Sequence, residues 1–138
     1  MTTKPNAQPS ISLLLVEDCE ITLKSYSTVL SMLCPEVTVY SACNGKQGLE
    51  LFKAHMPDIV ITDLHMPEMD GRQMAENIRA IKPETRIIIV TGDNGRLEQM
   101  DLAENRFIPD HLFEKPIDLQ HFFAAIKQCK EEIVLYRS

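Results

Sequence analysis

Short, strongly apolar segments recur along the chain, and each ends at a polar residue that can do chemistry. They span residues 13–16, 59–62, 87–90 and 112–114, and the residues that directly follow them are Glu17 with Asp18, Asp63, Thr91 and Lys115. Apolar segments this short, between turn residues, are typical of strands buried on both faces of a parallel sheet. Ligands bind outside the carboxyl ends of such strands. We therefore expect three acids, one hydroxyl and one lysine to converge on one edge of a sheet.

Strand and helix patterns alternate five times along the chain. The predicted strands span residues 11–16, 37–40, 58–62, 86–90 and 111–114. Helices are predicted over residues 19–33, between Gly45 and Pro57, between Gly71 and Pro83, over residues 96–105, and from about Asp118 onward. Such an alternation requires a parallel sheet with helices on both faces, which is a doubly wound α/β fold. The pattern alone leaves the strand order open, with 2-1-3-4-5 as one candidate.

Length and charge limit the function classes. The chain has 138 residues, the size of one domain, and its 20 acidic and 14 basic residues give a net charge of -6. This balance argues against direct nucleic-acid binding, which needs clustered Lys and Arg. We expect residues 1–10 to form a flexible tail without a secretory signal, no membrane span, and a cytoplasmic location. The four cysteines form no C-x-x-C pair and are expected to be reduced packing residues.

The three acids at the predicted sheet edge suit a metal ion. Like charges a few ångströms apart repel strongly in a partly buried site, and a bound divalent cation removes that repulsion. Hard oxygen ligands suit Mg²⁺ best and Mn²⁺ nearly as well. The alternative for Glu17 and Asp18 is that they only cap the first helix. The equivalent position of Asp63 at another strand end favours the metal site.

The lysine and the hydroxyl suit an anion beside that cation. Lys115 could form an ordinary ion pair with the acids, but next to a cation it could instead neutralise an incoming anion. Thr91 offers a hydroxyl donor, and Gly92 leaves room for a ligand to approach the backbone. A phosphoryl group fits this set, with a carboxylate as the nucleophile that forms an aspartyl-phosphate. Phosphoryl transfer depends mostly on positioning and charge neutralisation, so few residues suffice.

Four motifs in chain order resemble the receiver domain of two-component response regulators. They are Leu-Leu-Val-Glu-Asp at residues 14–18, Asp-Leu-His-Met-Pro-Glu-Met-Asp-Gly at 63–71, Val-Thr-Gly at 90–92 and Lys-Pro at 115–116. The resemblance covers about residues 11–130. It implies a flavodoxin-like fold, in which a parallel sheet of five strands in the order 2-1-3-4-5 is combined with five helices.

The resemblance implies a role for each polar residue by matching position. Asp63 would be the phosphoacceptor, Thr91 the switch hydroxyl, and Lys115 the lysine that binds a phosphate oxygen. The Lys115–Pro116 bond would be cis, although only about 5–6% of X-Pro bonds are. The ligands of Mg²⁺ would be Glu17, Asp18, Asp63 and the backbone carbonyl of His65.

The function implied is that of a signalling domain rather than of an enzyme in its own right. A sensor histidine kinase or a histidine phosphotransfer protein would donate a phosphoryl group to Asp63, and the resulting conformational switch would control a downstream output. The output surface would be formed by the fourth helix, the fifth strand and the fifth helix. A pseudo-receiver that acts by protein contact is one alternative. A hydrolase with Asp63 as nucleophile is another, but it would need an acid where this chain has His65.

Three features depart from the receiver pattern or add to it. Leu112 stands where receivers often have an aromatic residue that moves on activation, and Phe113 should point to the other side of the strand. We hypothesise that His65 and Asp93 set the lifetime of the phosphoryl group. A heptad-like stripe from Leu119 to Tyr136 should pack its first half on the sheet, and its second half, from Cys129, fits equally a slightly long amphipathic helix or a signalling helix that extends past the domain. Residues 131–138 could then lead to an output domain, or the helix could form a homodimer.

Overall fold

Five parallel strands alternate with helices, as the sequence predicts. The computed structural model describes residues 10–92 and 107–137. The strands are β1 (Ile11–Val16), β2 (Val37–Ala42), β3 (Ile59–Asp63), β4 (Arg86–Thr91) and β5 (His111–Glu114). The described helices are α1 (Glu20–Leu33), α2 (Gly45–His55), α3 (Gly71–Ile81) and a C-terminal helix (Leu119–Arg137). The predicted helix over residues 96–105 lies outside the described residues.

The sheet order is β2-β1-β3-β4-β5, and every strand pair is parallel. The doubly wound, flavodoxin-like fold and its strand order are therefore confirmed. In the register, Val16 pairs with Ala42 on one side and with Thr62 on the other, and Asp63 pairs with Val90. This register places the carboxyl ends of neighbouring strands side by side at one edge of the sheet.

Successive residues of β1 enter cores on opposite faces of the sheet, because side chains alternate along a strand. Leu13 and Leu15 pack on the face that carries α1 and the C-terminal helix. Leu14 and Val16 pack on the face that carries α2 and α3. Each fully buried leucine contributes roughly 1.5–3 kcal/mol to stability. This double burial explains the uninterrupted apolar run that predicted the strand.

Four predicted elements have boundaries that differ from the structure by one or two residues. β2 continues to Ala42, beyond the predicted end at residue 40, because Ser41 is a tolerated exposed residue on an edge strand. β3 begins at Ile59 and includes Asp63, and β4 includes Thr91. α1 begins at Glu20, and Cys19 is its N-cap. In each case a polar residue stands at the boundary, where hydrophobic patterning gives little information.

The C-terminal helix packs on the domain further than the sequence suggests. Cys129 and Ile133 are buried in the same core as Leu13 and Leu15. The burial of these two residues favours a slightly long amphipathic helix over a helix that leaves the domain at Cys129. Leu135 and Tyr136 are exposed in the last turn. Most of the heptad-like stripe thus serves the core of this chain and is not available for pairing with another helix.

The four cysteines are unpaired, as expected. Cys34 and Cys129 are buried packing residues, and burial raises the pKa of the Cys129 thiol to about 12. Within the described ranges, none of the helices is both long and apolar enough to span a bilayer.

Asp58 links several elements at the amino-terminal edge of the sheet, opposite the site residues. Its carboxylate is 6% exposed and accepts hydrogen bonds from the backbone N of Ser12 at 3.0 Å and from Lys82 Nζ at 3.2 Å. Arg137 also donates to this carboxylate, and it donates to the carbonyl of Ser10 at 3.0 Å. One acid thereby joins β1, the end of α3 and the last turn of the C-terminal helix.

Replacing Asp58 by Asn should lower the free energy of unfolding by about 2 kcal/mol, because a neutral amide cannot pair with two cations and a hydrogen bond to a charged group contributes about 1.5–3 kcal/mol. Urea unfolding followed by circular dichroism measures this change. The control is Glu76→Gln, which breaks the solvent-accessible pair with Arg72. It should cost less than about 1 kcal/mol. Equal losses in the two variants would contradict the role of Asp58.

Candidate functional site

Four of the predicted site residues meet at the carboxyl edge of the sheet. Glu17 and Asp18 follow β1, Asp63 ends β3, and Lys115 follows β5. One carboxylate oxygen from each of the three acids lies within 4.8 Å of the others. Lys115 Nζ donates to Glu17 Oε1 at 3.0 Å and to Asp63 Oδ2 at 3.4 Å. The convergence expected from the strand ends is therefore present for the three acids and the lysine.

The acids differ in their exposure to water, and their charges influence one another. Glu17 is 3% exposed, Asp63 is half-buried and Asp18 is exposed. Partial burial raises the pKa of Asp18 above its usual value, and a hydrogen bond with Glu17 and the charge of Glu17 raise it further. The three carboxylates therefore repel one another at close range.

Lys115 supplies an internal counter-charge for this cluster. Burial by itself lowers the pKa of Lys115, but the hydrogen bond to Glu17 and the charges of Asp63 and Glu17 outweigh it. The pKa of Lys115 therefore lies above its ordinary value, and the ammonium group stays protonated at neutral pH. Three carboxylates and one ammonium leave two negative charges, which one divalent cation would neutralise. Their oxygen donors are of the kind that Mg²⁺ and Mn²⁺ prefer, so the cluster could hold such an ion.

The helix-capping alternative for the first two acids does not account for the contacts of Glu17. The N-cap of α1 is Cys19, whose side chain makes no capping hydrogen bond. Glu17 Oε2 accepts from the backbone N of Cys19 at 3.1 Å, while Oε1 faces Lys115. The backbone N of Glu17 donates to the carbonyl of Ala42 at 3.1 Å, at the end of β2. Glu17 is thus held by the start of α1 through its Oε2 and by the end of β2 through its backbone N, while its Oε1 is directed at the site.

Thr91 ends β4 one residue beyond Val90, which pairs with Asp63. Its side chain is buried, and its carbonyl accepts a hydrogen bond from the backbone N of Lys115 at 2.8 Å. This bond fixes the start of the Lys115 side chain beside the end of β4. The peptide bond between Lys115 and Pro116 is cis, as the resemblance implied.

The loop after Asp63 is closed at its base by a glycine that the sequence analysis did not assign. The backbone N of Gly71 donates to the carbonyl of Leu64 at 2.8 Å. A Cβ at position 71 would lie 2.1 Å from the carbonyl oxygen of Asp63, so a larger residue cannot occupy it without moving the acceptor strand. The Asp70-Gly71 dipeptide is a turn signal that could have identified this position. Asp70 also begins α3, in a capping box with Gln73.

A tight turn within the same loop is centred on Glu68. The backbone N of Met69 donates to the carbonyl of Pro67 at 2.8 Å, and Glu68 has a φ of 68°. A three-residue turn with positive φ is rare and strained for a residue with a side chain. A glutamate at this position gives no sequence signal for such a turn.

Leu112 and Phe113 lie on opposite sides of β5, as predicted. Leu112 packs against the core beneath α2 and α3. Phe113 packs against the other core and forms an edge contact with Phe122 of the C-terminal helix, with 5.5 Å between ring centroids. The aromatic position expected to move on activation is therefore filled by an aliphatic side chain. His65 is exposed in the loop after β3, and Asp93 lies outside the described residues.

The family model of the response regulator receiver domain matches residues 13–127. This chain belongs to the response regulator receiver domain family. The match includes the carboxyl ends of all five strands and therefore every residue of the acidic cluster. The receiver identity agrees with the strand order, the cis peptide bond after Lys115 and the converging acids.

Individual relatives support the same assignment. Protein-glutamate methylesterase/protein-glutamine glutaminase 2 of Nitratidesulfovibrio vulgaris is 28% identical over 128 residues, covering 89% of this chain and 35% of that protein. Autoinducer 1 sensor kinase/phosphatase LuxN of Vibrio campbellii is 31% identical over 118 residues, covering 83% and 13%. A crystal structure of a response regulator receiver domain protein from Clostridium thermocellum has a TM-score of 0.81 at 26% identity, covering 91% of this chain and 98% of that one. This receiver domain spans 35% or less of the two curated relatives.

Replacing Glu68 by Gly should stabilise the receiver domain by about 1 kcal/mol, because glycine adopts positive φ without the strain that a side chain causes. Thermal and urea unfolding measure the change. Glu84→Gly, at another exposed position outside the helices and strands, is the control and should not stabilise the domain. A destabilised Glu68→Gly variant would show that the turn is not strained.

Proposed function

We propose that this receiver domain accepts a phosphoryl group on Asp63 from the phosphohistidine of a sensor histidine kinase or a histidine phosphotransfer protein. The proposal rests chiefly on three carboxylates within 4.8 Å, with Lys115 Nζ 3.4 Å from Asp63 Oδ2. Mg²⁺, or Mn²⁺ in its place, would be held by the ligands Glu17, Asp18, Asp63 and the backbone carbonyl of His65. When bound, the cation would neutralise negative charge on the acids and on the phosphoryl oxygens.

The transfer step exchanges one bond to phosphorus for another. A carboxylate oxygen of Asp63 attacks the phosphorus and forms a phosphorus–oxygen bond, while the phosphorus–nitrogen bond to the donor histidine breaks. The electron pair of the broken bond stays on the imidazole nitrogen. Lys115, which is held protonated by the acids, pairs with one phosphoryl oxygen, and the hydroxyl of Thr91 donates to another. These residues act by position and charge, which is what phosphoryl transfer requires.

The phosphorylated state would act through a shift between conformations that already exist in the unmodified protein. The proposed output surface combines β5, the C-terminal helix and the predicted fourth helix. On its described part, Leu119 at the start of the C-terminal helix is an exposed apolar residue that a target protein, or a second copy of the chain, could cover. We also propose a cytoplasmic location, which fits four unpaired cysteines in a reducing compartment.

Intact mass spectrometry after treatment with acetyl phosphate and Mg²⁺ tests the acceptor. The wild-type protein should gain one phosphoryl group, and Asp63→Asn should gain none. Asp70→Asn is the matched control, because Asp70 lies in the same loop and asparagine is an equally good helix cap. It should be phosphorylated like the wild type. Removal of Mg²⁺ with EDTA should abolish the adduct.

Two results would contradict the proposal. An adduct that persists in Asp63→Asn would place the acceptor elsewhere. An unmodified wild-type protein, with both acetyl phosphate and a phosphorylated histidine phosphotransfer protein as donors, would favour a domain that acts by protein contact alone. Turnover of p-nitrophenyl phosphate would instead support the hydrolase alternative.

His65 and Asp93 each stand two residues beyond a proposed site residue, and we expect both to influence the access of water to the phosphoryl group. His65→Ala and Asp93→Ala should therefore each change the half-life of the aspartyl-phosphate without preventing its formation. Loss of the adduct mass with time measures this half-life. His121→Ala, at an exposed position on the C-terminal helix, is the control. Wild-type half-lives in both variants would exclude the hypothesis.

A further inference from the structure

The first residue of α2 lies directly against the loop that follows Asp63. Gly45 is buried, and a Cβ at this position would lie 2.6 Å from the carbonyl oxygen of Met69 and 3.0 Å from its Cβ. The carbonyl is a backbone group, so it cannot rotate aside as a side chain can. Any residue larger than glycine at position 45 must therefore move either α2 or the loop.

The start of α2 is itself firmly held, so the loop is the part that would move. Asn44 caps the helix by accepting from the backbone N of Gln47 at 2.7 Å. Phe52, two turns further along, is completely buried in the core. The carbonyl of Ala42, just before the helix, accepts from the backbone N of Glu17. Displacement of α2 would disturb all three contacts.

A displacement at Met69 must be absorbed within residues 64–68, because the base of the loop is fixed. Its base is closed by the hydrogen bond between Gly71 and Leu64. The strained turn at Glu68 connects Met69 to the segment that contains His65. Met66, next to His65, is 8% exposed and inserts into the core beneath α2 and α3. Little slack remains between Met69 and the carbonyl of His65.

We propose that Gly45 is a positioning residue for the acceptor loop. Close contact between the first turn of α2 and the Met69 carbonyl fixes the path of residues 64–70, and with it the His65 carbonyl. This inference rests on the proposed function, in which that carbonyl is a metal ligand. It assigns to α2 a role in metal binding although α2 provides none of the ligands.

Gly45→Ala should weaken the binding of Mn²⁺, measured by electron paramagnetic resonance, about tenfold, the lower end of the range for groups that orient metal ligands. The control is Gly48→Ala, one turn further along α2. A Cβ there meets Met74 Sδ at 2.8 Å and Val16 Cγ2 at 3.0 Å, so the close contacts are with core side chains and not with the backbone of the acceptor loop. Gly48→Ala should therefore keep the wild-type affinity for Mn²⁺, even if its melting temperature changes.

A second readout needs no metal. In the metal-free protein, the amide NMR signals of His65, Met66, Glu68 and Met69 should shift in Gly45→Ala and stay in place in Gly48→Ala. If Gly45→Ala does not fold, Asn44→Ala replaces it. Loss of this cap loosens the first turn of α2 and should shift the same amides and weaken Mn²⁺ binding.

The outcomes separate this inference from the proposed function. A wild-type protein that binds no Mn²⁺ and forms no aspartyl-phosphate would refute the proposed function. A wild type that does both, with equal affinity and unshifted loop amides in Gly45→Ala, would overturn the role of Gly45 alone. Equal losses of affinity in Gly45→Ala and Gly48→Ala would show a general packing effect, and would also overturn it.

Discussion

The repulsion among three carboxylates held within 4.8 Å is the constraint on which the rest of the site depends. Glu17 is almost completely buried, so water screens its charge only weakly. Lys115 provides the internal counter-charge, and a hydrogen bond to the carbonyl of Thr91 holds its backbone at the end of β4. One divalent cation would neutralise the remaining excess of negative charge. The same arrangement suits an aspartate that must react with another anionic group.

Backbone contacts, more than side-chain contacts, hold the three carboxylates together against their repulsion. The strand register aligns the carboxyl ends, and two glycines allow close approaches that no larger residue permits. Gly71 closes the base of the loop against Asp63, and Gly45 brings α2 against the loop at Met69. At the opposite edge, Asp58 joins three elements and keeps the C-terminal helix on the sheet. The ends of the strands are thus fixed from both sides of the molecule.

The sequence predicted the features that depend on burial, and it missed those that depend on backbone geometry. Apolar runs buried on both faces predicted the strands, and their polar ends predicted that Glu17, Asp63 and Lys115 would meet. The resemblance, rather than any pattern, supplied the strand order and the cis bond before Pro116. The strained turn at Glu68 had no signal because glutamate does not favour positive φ, and the close contact at Gly45 had none because it arises where separate segments meet. The stripe along the C-terminal helix left its packing open, because the spacing of apolar residues does not distinguish a partner helix from a sheet.

A crystal structure of the protein grown with Mn²⁺, with anomalous diffraction recorded at the manganese edge, tests the central claim most directly. We expect one anomalous peak between the carboxylates of Glu17, Asp18 and Asp63. For each acid, the peak should lie about 2.2 Å from a carboxylate oxygen or from a water that bridges to it. The peak should be absent from crystals of Asp18→Asn. A protein without a peak at this edge of the sheet, or with its manganese elsewhere, would contradict the account.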